Sequence, residues 1–208
     1  MISHYSVLAA LMLQVLAGVT LIYSEWSYLF SIIRKECSPN PVTWATWTLG
    51  AWMLAYVEFA GLGASSAIRL TYFIVIAAST SAIFLSSALV GGGARYLGKT
   101  EAVCFTIAAI SAVLWNFYDA PWVVFWAALS IDMSGAWPMI RSVRSNPERE
   151  VLAPWVLTVV SAACNLMSVL LLFYASEGSW TSLLFGSYYL LANWIITAPI
   201  FRHYRRPT

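Results

Sequence analysis

Residues 28–50, YLFSIIRKECSPNPVTWATWTLG, and residues 136–157, AWPMIRSVRSNPEREVLAPWVL, carry the same punctuation. Each brings an apolar run to an Ile-Arg pair, Ile33-Arg34 and Ile140-Arg141, crosses a charged turn containing proline and asparagine, and re-enters apolar sequence. Glu25 precedes Arg34 by nine residues, and Asp132 precedes Arg141 by nine. Trp47 follows Pro39 by eight residues, and Trp155 follows Pro147 by eight. One inserted residue between Arg and Pro reconciles the two stretches. An acid, a base, a proline and a tryptophan in one order and spacing read as an internal repeat, with Arg95-Tyr96 and His203-Tyr204 closing the two halves.

Around these turns the chain is too apolar for a soluble domain. Of 208 residues 61% are hydrophobic and only 10% charged, with a mean hydropathy of +0.75; soluble domains carry about 25% charge. A net charge of +2 excludes the basic footprint of a nucleic-acid binder. The 11 tryptophans and 11 tyrosines suit membrane interfaces, where a ring is half wet and half apolar. A helix crossing a bilayer needs about 20 mostly apolar residues. Stretches free of Lys and Arg predict seven such helices: Tyr5–Ile33, Pro41–Gly61, Leu70–Leu89, Ala102–Tyr118, Pro121–Ile140, Val151–Tyr174 and Ser179–Phe201. Pro41, Pro121 and Pro154 fall in first turns, where a missing N–H costs nothing. Gly91, Gly92 and Gly93 mark the exit of the third helix, and Tyr118-Asp119-Ala120-Pro121 reads as a tight turn. The first helix could also end before Glu25.

The bases set an orientation. Arg34, Lys35, Arg95, Lys99, Arg141, Arg144, Arg149, Arg202, Arg205 and Arg206 fall on one side of a seven-span layout, and Arg69 alone on the other. Basic loops stay cytoplasmic, so the N-terminus is expected outside and the C-terminus inside. Met1 to Tyr5 lacks the positive charge of a secretory signal, so the first stretch is expected to remain as a helix. Cys37, Cys104 and Cys164 have no CxxC spacing and read as small, near-buried apolar residues. With the fourth helix as a lone connector, both halves run from outside to inside, as parallel repeats do.

An all-α membrane protein of this three-one-three layout, with SPNPVTWATW and NPEREVLAPW as its proline turns, resembles the SWEET and PQ-loop family. More narrowly it is similar to a group of bacterial PQ-loop-like membrane proteins. The resemblance implies a first triple-helix bundle over residues 1–100, a linker helix over 101–119, and a second bundle with a basic cytoplasmic tail over 120–208. It also implies a multi-pass protein of the bacterial inner membrane. Two features depart from the family pattern. Neither turn contains the Pro-Gln pair that names the family. Asn193 matches the asparagine that SWEET transporters place on the third helix of a bundle, but the repeat register sets Leu85 opposite it.

Intramembrane carboxylates are the sharpest chemical signal. Nine residues at about 1.5 Å each set Asp132 and Glu25 roughly 13–14 Å from an interfacial Arg, near mid-membrane. An acid there costs on the order of 2.5–3.5 kcal/mol on insertion scales. It therefore faces the bundle interior, a wet cavity, or is protonated, which suits proton coupling or the binding of a polar solute. The competing role is structural, a carboxyl bonded to Ser, Tyr or Trp on a neighbouring helix. Glu58, towards the outer end of the second helix, is a third candidate that could equally reach interfacial water. Asn116, Asn165 and Asn193 can act as helix–helix hydrogen-bonding groups; Asn193 beside Trp194 is the best candidate for a solute contact. Trp44, Trp47 and Trp155 fit an interfacial belt, or a gate hinged at Pro39, Pro41, Pro147 and Pro154.

Several chemistries find no residues. Lys35 and Lys99 read as loop residues, which leaves no lysine for a retinal Schiff base; His4 and His203 lie at opposite ends, which leaves no histidine pair for haem or metal. No phosphate loop, HExxH or GxSxG occurs. Neither an enzyme nor a cofactor is expected. The expectation is a small transporter moving a sugar or amino acid, with a proton as candidate coupling ion. The alternative is a non-transporting receptor, sorting factor or scaffold of the same fold. Its partners would be the lipid bilayer, a small polar solute and, as an open question, further copies of itself.

Overall fold

The structure, a computed structural model, describes residues 2–60, 67–90, 98–117, 121–175 and 180–205. Among the described residues the chain is entirely helical: α1 (Ile2–Ile33), α2 (Pro41–Ala60), α3 (Ala67–Val90), α4 (Lys99–Phe117), α5 (Pro121–Ser145), α6 (Leu152–Tyr174) and α7 (Trp180–Tyr204), with a 3₁₀ turn over Pro147–Arg149. Gly91 to Gly93, the Arg95-Tyr96 pair, Tyr118 to Ala120 and Arg206 lie outside the described residues.

Local chemistry accounts for the helix ends. Pro41 opens α2, and the Asn40 side-chain oxygen accepts the Val42 N–H at 3.0 Å, capping the helix. At the end of α1, Lys35 adopts a φ of 62°. The Glu36 N–H reaches back to the Ser31 carbonyl and the Lys35 N–H to that of Ile32, each at 2.9 Å. This is a Schellman closure with lysine where glycine is the usual occupant. Helix α1 runs through Glu25 without a break. Helices α5 and α7 continue past the expected Ile140 and Phe201, carrying Arg144 and Arg202 in their last turns. Cations there are favoured by the helix dipole, so a base that ends an apolar run need not end a helix. Lys99, expected in a loop, is the first residue of α4.

Three helical segments, Tyr5–Ile33, Leu152–Tyr174 and Ser182–Tyr204, are long and apolar enough to cross a membrane. Along α1 a row of large apolar residues, from Leu8 through Met12, Val15, Val19 and Tyr23 to Phe30, is exposed. Soluble monomers rarely expose so extended an apolar surface.

Two compact units divide the chain, one of Met1–Ser27 with Val151–Thr208 and the other of Tyr28–Glu150. The boundaries expected at residues 100 and 119 both fall inside the second unit. In the first unit α1 and α6 are joined by hydroxyls at seven-residue intervals. Ser168 Oγ donates to the Ala10 carbonyl at 2.7 Å, Ser161 Oγ to that of Ala17 at 2.7 Å, and Ser24 Oγ to that of Pro154 at 2.6 Å. Seven residues are nearly two turns, so each set returns to one face. The opposite order of the two sets makes the helices antiparallel. Small residues at the seam let the backbones come close enough for a hydroxyl to reach across, which is how helices associate in an apolar solvent. Helix α7 packs on α6, with Thr197 Oγ1 donating to the Asn193 carbonyl of its own helix at 2.7 Å.

In the second unit α2 packs on α3 and α5, and α4 on α5. A Cβ added to Gly135 would lie 2.5 Å from Thr46 Oγ1 and 2.7 Å from the Trp47 ring, so α5 approaches α2 at a point that only glycine permits. Ala108, Ala127 and Ile131 form a buried core there, with Leu49 and Met53 against them.

Candidate functional site

The site grows from the two proline turns, whose backbones meet in the second unit: the Ser38 N–H donates to the Arg149 carbonyl at 3.0 Å. Next to that contact Glu150 is only 1% exposed. The 3₁₀ turn over Pro147–Arg149 ends on it, its own N–H returning to the Pro147 carbonyl at 3.2 Å. Tyr28, the buried residue six positions before Arg34, donates its hydroxyl to Glu150 Oε2 at 2.5 Å. A charge-assisted bond of this kind is about twice as strong as a neutral one.

From Tyr28 the contacts continue through rings. The Tyr28 and Trp44 centroids are 5.1 Å apart, and Trp44 meets Trp47 edge to face at 5.2 Å. Trp47 Nε1 then donates to the backbone carbonyl of Asp132 at 3.2 Å. Aromatic pairs in this range add about 0.5–1.5 kcal/mol each beyond area burial. An unbroken string therefore joins a buried carboxylate at the turns to the segment of α5 that carries the mid-helix acid. Cys37 borders its turn end. Burial first, then the charges of Glu150 and Glu36, push its thiol well above the usual thiol range.

Two of the expected site residues, Trp47 and Asp132, are thus brought together, and Asp132 itself is half-buried. Glu25 is 8% exposed on α1, one residue from the Ser24 that bonds Pro154 and, at 2.8 Å, Thr158. Trp155 is buried and its carbonyl accepts Thr197 Oγ1 at 3.4 Å. Pro39, Pro41 and Pro154 are buried, while Pro147 is half-buried. Asn193 is buried, but its amide donates to the Tyr189 carbonyl of its own helix at 2.9 Å. Trp194 is 59% exposed, so the two residues are not gathered onto one buried surface. Leu85, opposite Asn193 in the repeat register, is exposed. Glu58 belongs to α2 and Asn116 to α4, but their side chains lie outside the described residues.

Glu150 and Tyr28 are the residues that the sequence reading missed. Glu150 stands in Pro-Glu-Arg-Glu, a run that reads as a solvated charged turn, and nothing in that spelling separates it from exposed Glu148. The available signal was the apolar Val151 and Leu152 directly after it, both half-buried. Searches against protein-family models, curated proteins and solved structures found no match for this chain.

Proposed function

We propose that this chain is a small multi-pass membrane transporter for a small polar solute, in which the proline turns act as hinges and intramembrane acids bind the solute or a proton. The observation that carries this reading is the string from Glu150 through Tyr28, Trp44 and Trp47 to the backbone carbonyl of Asp132. Burying a carboxylate beside a turn carries a desolvation cost, and ionisable groups in such settings mark solute or proton paths. Rings that slide past one another let the turns change angle while the acids exchange partners. Asp132 and Glu25 are the solute- or proton-binding acids of this scheme, and Pro39, Pro41, Pro147 and Pro154 its hinges.

Two patterns support the multi-pass, duplicated layout. The α1–α6 ladder runs antiparallel, as a first and a sixth span must. In the repeat register, the Asp132 region of α5 meets Trp47 of α2, and the Glu25 region of α1 meets Pro154 of α6, so matched positions find matched neighbours. The likeness to SWEET and PQ-loop proteins agrees with this arrangement. A cell-membrane location follows from the same reading.

Proteoliposome uptake tests it. A panel of labelled monosaccharides and neutral amino acids should include at least one solute taken up faster than by empty liposomes. The Asp132→Asn and Glu25→Gln double variant should lose most of that uptake. Undiminished uptake by the double variant would refute the role of the acids.

A further inference from the structure

Away from the acid–aromatic string, α4 and α5 leave an open groove of about 630 Å³. Val103 and Ile107 of α4 face Met133 and Trp137 of α5 across it, and all four are exposed apolar side chains. Its mouth is different. Lys99 lines that end, and Arg141, just outside the lining, donates from Nη1 to the lining Thr100 Oγ1 at 2.7 Å, which holds a guanidinium beside the mouth. The nearest acid in sequence, Glu101, lies with its carboxylate against Gly98 and is not part of the lining. From Lys99 to Ile107 the groove wall rises about 12 Å, close to the depth of one leaflet of a roughly 30 Å hydrocarbon core.

We propose that this groove binds an anionic glycerophospholipid, with its phosphate between Lys99 and Arg141 and one acyl chain along Val103, Ile107, Met133 and Trp137. Charge complementarity selects this occupant. A free anion leaves the apolar wall uncovered, and a zwitterionic lipid brings its own cation to a mouth that already holds two. The inference rests on the multi-pass reading, in which α4 and α5 lie in the bilayer and Lys99 and Arg141 face the cytoplasmic leaflet, whose surface is negative.

The test is lipid retention by the full chain in neutral detergent, read by native mass spectrometry and by melting temperature, with dioleoyl phosphatidylglycerol against dioleoyl phosphatidylcholine. The phosphatidylglycerol should be held at least about tenfold more tightly, and Lys99→Gln with Arg141→Gln should remove the preference. Val103→Trp, which fills the groove and keeps both charges, should also weaken retention, whereas Arg144→Gln, three residues beyond Arg141 on α5, should not. Equal retention of the two lipids overturns the proposal. So does an equal melting shift with inorganic phosphate, which indicates an anion site only, or a lipid-free dimer abolished by Val103→Trp, which indicates that a second copy fills the groove. Labelling of Ile107→Cys in intact vesicles by a membrane-impermeant maleimide would refute the multi-pass reading and the lipid site with it. Protection of Ile107→Cys without any lipid preference would refute the lipid site alone.

Discussion

At the scale of single residues, Tyr28 and Glu150 form the bond whose loss should be felt most. A hydrogen bond to a charged group contributes about 1.5–3 kcal/mol, so Tyr28→Phe should lower the unfolding free energy by that order. Combined with Glu150→Gln, the loss should be smaller than the sum of the single losses, and a double-mutant cycle on melting curves measures this directly. Cys37 reports on the same corner. Its folded thiol keeps a proton that the unfolded chain gives up near the usual 9.0. Stability is therefore undiminished below that pH and falls as pH rises from there towards the folded value. Cys37→Ala should flatten the alkaline side of the stability profile, and Glu150→Gln should make the thiol react faster with maleimide at pH 8–9. Neither residue was legible in advance. Burial of Glu150 depends on a contact across 122 positions of sequence, and the charges flanking it disguise it as solvated. Asp132 and Glu25 stand out in the sequence because an acid inside an apolar run is costly, whether it binds a ligand or bonds a neighbouring helix.

Among elements, the helices themselves were the most legible feature. Prolines, turn residues and the spacing of bases locate every described helix to within about five residues, because breakers act locally. Partners were less legible, because the choice of partner depends on which faces fit. Even so, the α1–α6 seam is written in the chain: Ala10, Ala17 and Ser24 repeat every seven residues, and so do Pro154, Ser161 and Ser168. Removing a hydroxyl of that ladder, as in Ser161→Ala, should cost about 0.6 kcal/mol. Ala17→Leu should cost more, because it forces the backbones apart. In the second unit Gly135→Ala should destabilise by about 1–3 kcal/mol, the usual effect of overpacking, since its Cβ would collide with Thr46 and Trp47. Lys35→Gly should do the opposite and raise the melting temperature, because glycine takes the left-handed conformation without steric cost.

For the whole molecule, composition names the solvent and the exceptions to it name the working parts. Among the described residues three helices meet the length and apolarity of a membrane span. The remaining four carry more of the tryptophan, threonine and charge that lower hydropathy, and they supply most of the acid–aromatic string. The repeat, the proline turns and the buried acids describe one device if access to Asp132 alternates between the two faces of the membrane. The direct measurement uses a single cysteine at Asp132 in a chain with Cys37, Cys104 and Cys164 replaced by alanine. Oriented vesicles are then exposed to a membrane-impermeant maleimide on one face at a time. Labelling from either face is the result expected of alternating access; labelling from one face only, or from neither, would contradict it.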